Sequence, residues 1–149
     1  MKRIALLLLA LAGLSLAACA PRAPDPDRFA EKFFDHGKES ILDAMKDQKV
    51  GESQLAAARG IIDRHEPDAR REMAAAMRAQ QALMLALSSG RDSATLLSLE
   101  ADQHRVQDQV LRTIGRMHEE LASAVGPEKW QGTSARLEEK YSRYFRPRK

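Results

Sequence analysis

The chain has 149 residues, 44% of them apolar and 30% charged, with a formal net charge of +3 and a pI near 9.2. That length holds one compact domain and little else. A single cysteine, Cys19, excludes a disulfide framework and every zinc or redox site of the CxxC type, so stability must come from helix packing.

The amino terminus reads as a secretory signal. Lys2 and Arg3 precede an apolar run from Ile4 to Leu14, followed by small residues. An apolar stretch of about 15 residues falls short of the roughly 20 that span a bilayer as a helix. Leu16-Ala17-Ala18-Cys19 matches the lipobox of bacterial lipoproteins. That resemblance implies cleavage of residues 1–18, diacylglycerol on the Cys19 thiol and acylation of the new amine. The alternatives are a transmembrane anchor, an uncut signal, a free thiol or an intermolecular disulfide. Several acyl chains would make the attachment stable, because one chain binds only marginally. Ala20 stands where many inner-membrane lipoproteins carry aspartate, so the resemblance points to the outer membrane, facing the periplasm. Taking 18 residues from 149 leaves 131, and losing Lys2 and Arg3 takes the charge from +3 to +1. The high pI therefore does not call for a nucleic-acid partner.

Residues 19–27 are the lipidated cysteine and a tether rich in proline (Pro21, Pro24, Pro26). At about 3.1 Å per residue such a segment reaches some 25 Å. Residues 28–146 then read as a single helical domain, and 147–149 as a basic tail. No stretch alternates apolar and polar residues for long enough to propose a strand. The fold class is all-α, with four helices packing as a bundle and the option of a dimer through the third.

The first helix is expected over 27–47, with Phe29, Phe33, Ile41 and Met45 as its apolar stripe. Gly51 punctuates, and Glu52-Ser53 opens a second helix with Leu55, Ile61 and Ile62. Pro67 predicts a kink or short break there, because proline removes a backbone donor and disfavours helical geometry in the residue before it. Helix resumes through Met73, Met77, Leu83, Met84 and Leu87 to a stop at Ser88-Ser89-Gly90. Asp92 or Ser93 caps a third helix reaching about Val125. In it Leu96, Leu99, Val106, Val110, Met117 and Leu121 recur at the spacing of a helix–helix seam. Gly126-Pro127 ends that helix and starts the last, which carries Trp130, Leu137, Tyr141 and Phe145.

Two junctions look alike. Val50-Gly51-Glu52-Ser53-Gln54 opens the second helix and Val125-Gly126-Pro127-Glu128-Lys129 opens the last. Both resemble the LTxxQ motif that occurs twice in the Spy/CpxP family of bacterial periplasmic proteins, whose wider relatives include the metal-responsive ZraP and CnrX. Valine replaces leucine in both copies, Gly51 and Pro127-preceding Gly126 replace the capping threonine, and Lys129 replaces the second glutamine. The resemblance implies a hooked helical hairpin and a chaperone-like or stress-adaptor role towards misfolded or partner envelope proteins. Without it, the junctions are ordinary helix starts, an apolar staple before a polar first turn.

Two constellations could carry such functions. Met73, Met77 and Met84 fall on one stripe with Arg70 and Arg78 beside it; polarizable methionine suits a surface that takes many apolar partners. The same spacing equally describes the core of a helix pair. Glu100, His104 and Asp108 form a column at one-turn intervals and could supply ligands to zinc, nickel or copper. His118 lies about 21 Å further along the helix axis, so a tight site needs His36, His65 or a dimer mate. That column supports the alternative of a periplasmic metal sensor or metal buffer, and a structural lipoprotein of an envelope complex is a third reading. No catalytic signature is present: His65-Glu66 lacks a second histidine at position 69, and His118-Glu119 lacks one at 122. The chain is therefore not expected to be an enzyme.

Overall fold

The computed structural model describes residues 23–145; the expected signal, Cys19 and the expected basic tail at 147–149 lie outside them. Among the described residues the protein is all-α, about 90% helical and without strands. Its helices are α1 (Pro26–Asp47), α2 (Glu52–Ser88), α3 (Ser93–Val125) and α4 (Pro127–Phe145).

Local chemistry explains each boundary. Asp25 Oδ1 accepts the backbone N–H groups of Asp27 (2.9 Å) and Arg28 (3.0 Å), satisfying donors that open α1. Pro26 occupies the first position, where its missing N–H costs nothing. The tether was expected to run through Asp27, but Pro26 and Asp27 already belong to this first turn. Lys49, not a glycine, takes a left-handed backbone (φ 54°) after α1. Gly90 (φ 66°) and Gly126 (φ 89°) do the same after α2 and α3, where the absent Cβ makes that geometry easy. Asp92 settles the choice of cap for α3: its Oδ1 accepts the Thr95 N–H at 3.0 Å.

Of the kink or short break expected at Pro67, the break does not occur: α2 runs through 37 residues with the proline inside it. Pro67 is exposed, so its ring displaces no core contact. Buried Ile61 and Ile62 on one side and Ala69 and Met73 on the other hold both flanks in place, against a cost of about 3 kcal/mol for an interior proline.

The described residues divide into two compact units. One comprises 23–31 and 69–112, the other 32–68 and 113–145. In the first, Ala69, Met73, Ala76, Met77, Ala86 and Val110 are buried. In the second, Leu42, Met45, Val50, Ala58, Ile61, Ile62, Met117, Leu121 and Val125 form a single cluster, with Leu55 and Trp130 packed against it. Each such side chain contributes about 1.5–3 kcal/mol when fully buried. Met45 of the expected α1 stripe is buried, but its other three members are displaced by one residue: Ala30, Phe34 and Leu42 are buried, while Phe29, Phe33 and Ile41 are only half-buried.

Candidate functional site

The methionine stripe lies largely inside the protein. Met73 and Met77 are buried and Met84 is half-buried. The expectation of a client-facing methionine surface is corrected accordingly: these side chains fill space between helices, the adaptable packing role that thioethers serve in cores. Of the arginines beside it, Arg70 is half-buried and Arg78 pairs with Asp27 of α1.

The histidine column on α3 is exposed. His104 Nε2 stands 3.9 Å from Glu100 Oε1, and Asp108 one turn on is also in solvent. Among the described residues no group of three His, Cys, Asp or Glu side chains is arranged to hold a metal ion. The other histidines are engaged elsewhere. His36 meets Tyr141 edge-on at 6.4 Å, His65 bonds Glu120 at 2.9 Å, and His118 packs edge-on to Trp130 at 5.3 Å. Burial pushes the His118 imidazole below its ordinary value of 6.5. Hydrogen bonds from His65 and then Arg64 hold the Glu120 carboxyl below the usual carboxylate range.

The two motif-like junctions meet within the second unit. Gln54 Nε2 donates to the carbonyls of Ala124 (3.4 Å) and Val125 (3.3 Å), the last of α3. In return, Lys129 Nζ donates to the Lys49 carbonyl at 3.3 Å and to Gln54 Oε1 at 3.5 Å. Gln54 Oε1 also accepts the Gly51 N–H at 3.4 Å. Val50 and Val125, the two residues in the place of the motif's leucine, both sit in the same core cluster. The lysine that departs from the motif thus keeps a donor where one is needed, satisfying carbonyls left over at helix ends. Close by, α4 approaches α1 tightly: a Cβ at Gly132 would collide with the Gln48 side chain.

An open groove of about 420 Å³ lies between α1 and α4 in this unit. Ser40, Ala44 and Leu137 line it, with Asp43, Asp47, Arg136, Glu139 and Lys140. Lys140 Nζ donates to the Ser40 hydroxyl at 3.0 Å, and Arg136 bridges Glu139 (3.0 Å) and Asp47 (3.3 Å). These two carboxylates, Glu139 first, raise the Arg136 guanidinium above its ordinary value. The walls offer both signs of charge around a small apolar floor.

In the first unit the notable surface is the end where α2 turns into α3. Leu85, Leu87 and Leu97 are 69%, 52% and 66% exposed. The sequence pattern had placed Leu87 on an apolar stripe and passed over Leu85 and Leu97, although the scarcity of charge around them was visible. The start of the described chain is fastened nearby: Gln81 Nε2 donates to the Pro24 carbonyl at 2.9 Å.

Among the described residues the fold is all-α with four helices, and its two look-alike helix starts are bonded to each other. No family model, curated protein or solved structure matches the chain.

Proposed function

We propose that the chain is a lipid-tethered protein-binding protein of the bacterial envelope, similar to the Spy/CpxP class, acting as a chaperone or stress adaptor for misfolded or partner envelope proteins. The pairing of the two junctions supports this reading best. Gln54 and Lys129 are spent on helix-end carbonyls, so the motif-like residues build a scaffold and leave binding to the surfaces that the scaffold displays. The groove between α1 and α4, with mixed charge over Ala44 and Leu137, suits an extended segment of another chain.

The test is suppression of aggregation of a chemically denatured client by the mature protein at near-stoichiometric ratio. The expected result is suppression that weakens in Arg136→Glu/Lys140→Glu. Absence of suppression across several clients, with one stoichiometric partner recovered by pull-down, would replace the reading with that of a structural lipoprotein.

A further inference from the structure

Four features of the α2–α3 end converge. First, Leu85, Leu87 and Leu97 are the exposed large apolar side chains among the described residues. At 100° per residue Leu85 and Leu87 point about 160° apart, so the leucines surround the end of the hairpin and do not line one face. Such an arrangement fits insertion of the end into a medium that surrounds it, and fits poorly against a flat partner.

Second, charge is scarce there. Between Leu83 and Leu99 the charged residues are Arg91 and Asp92, which cancel, in a chain that is 30% charged.

Third, many of the turn's polar groups are bonded within it. Ser88 Oγ donates to the Leu85 carbonyl (2.9 Å), and Ser89 Oγ to those of Leu85 (2.6 Å) and Ala86 (3.3 Å). The N–H groups of Gly90 and Arg91 reach the Leu87 and Ala86 carbonyls at 3.3 and 3.1 Å. Asp92 accepts both the N–H (3.0 Å) and the hydroxyl (2.8 Å) of Thr95, bonds that hold its carboxyl below the usual range. Each donor or acceptor already paired in this way loses less on leaving water than an unpaired one.

Fourth, the chain that leads to Cys19 starts beside it. Pro24 is bonded to Gln81, and Asp27 to Arg78, on the same stretch of α2. From Gln81 to Ser88 is about 10 Å along the helix. Cys19 to Ala23 spans at most about 14 Å when extended. That length is enough for an acylated Cys19 to reach the level of the leucines, so a bilayer that holds the lipid can also meet them.

We infer that the α2–α3 end is a membrane-docking element, with Leu85, Leu87 and Leu97 seated in the headgroup boundary of the bilayer that carries the Cys19 lipid. The inference rests on the lipid-anchor reading. It converts a loose tether into a two-point attachment that fixes which way the first unit faces.

The acylated chain, reconstituted into phosphatidylethanolamine and phosphatidylglycerol vesicles, tests it. With Cys19 modified, Ala94→Cys provides one free thiol at the docking end and Asp108→Cys one about 21 Å further along α3 in the same unit. An environment-sensitive dye at 94 should shift to the blue and be quenched by nitroxide-bearing lipid, while the dye at 108 does neither. In Leu85→Ser/Leu87→Ser/Leu97→Ser the shift at 94 should vanish with flotation and helical content unchanged. A chain that floats with no shift at 94 overturns the docking and leaves the anchor intact. Failure to float, with Cys19 of unmodified mass, instead removes the anchor and the inference with it. A shift at 94 that grows with protein concentration in the absence of vesicles shows that a second copy covers the leucines and overturns the proposal.

Discussion

At the α2–α3 turn Gly90 takes a positive φ and Asp92 caps the helix that follows; at the α3–α4 junction Gly126 takes a positive φ and Pro127 opens the helix that follows. The two connections share their punctuation and differ in where their polar and apolar groups go. At the junction, the terminal carbonyls of α3 are answered from afar by Gln54, and Val125 is sunk in the core. At the turn, carbonyls are answered by the serines and N–H groups of the turn itself, and the leucines stay in solvent. A connection that borrows its partners from another element is tied to that element. One that closes on itself is free to present its apolar residues to something else.

The contrast can be broken most forcefully in the second unit's core. Leu121 is fully buried, so Leu121→Ala should cost about 2–5 kcal/mol, read from the urea midpoint. Leu97→Ala, two-thirds exposed, should stay within about 0.5 kcal/mol of the parent in the same assay. A Leu97 effect as large as that of Leu121 would mean that the turn is packed and not presented.

The caps come next. Asp92→Ala removes both bonds to Thr95 and should cost about 1 kcal/mol. Gln54→Ala strands carbonyls at 3.3–3.4 Å and should cost about 1 kcal/mol. Its loss should also accelerate hydrogen exchange at the starts of both α2 and α4, since Lys129 leans on the same amide. Acceleration confined to α2 would contradict the pairing of the junctions.

The smallest effect expected is a pH dependence. His118 is held neutral by burial, its folded value lying below 6.5. The unfolded chain then binds the extra proton first, so stability is fully present above about 6.5 and declines as pH falls through the window below it. His118→Leu should flatten that window. Glu120, whose folded value is depressed, contributes stability that is lost at lower pH, as the medium falls through the carboxylate range. A His118→Leu profile that matches the parent down to the carboxylate range would show that the imidazole is solvated.

Much of this fold was legible in the sequence because glycine and proline mark its boundaries. Gly51, Gly90 and the Gly126-Pro127 pair delimit the helices nearly to the residue. The register of α1 was less legible: Phe29, Phe33 and Ile41 compete with Ala30, Phe34 and Leu42 for the core, and small Ala30 wins because it admits close approach. Pro67 misleads for a related reason, since a local penalty of a few kcal/mol is outweighed by burial along a long helix. The methionines carry the same spacing whether they face a core or a client, so only the fold assigns Met73 and Met77 to the interior. Nor does helical periodicity mark Leu85 and Leu97, whose significance lies in the satisfied turn between them. The bond from Gln54 to Ala124 and Val125 spans some 70 residues and has no local signal at all.

Hydrogen exchange of the acylated chain, with and without phosphatidylethanolamine and phosphatidylglycerol vesicles, tests the contrast between turn and junction in one measurement. Vesicles should slow exchange across 83–99 and leave 50–54 and 125–129 unchanged. Equal protection of all three segments, or none at 83–99 in a chain that floats, would contradict it.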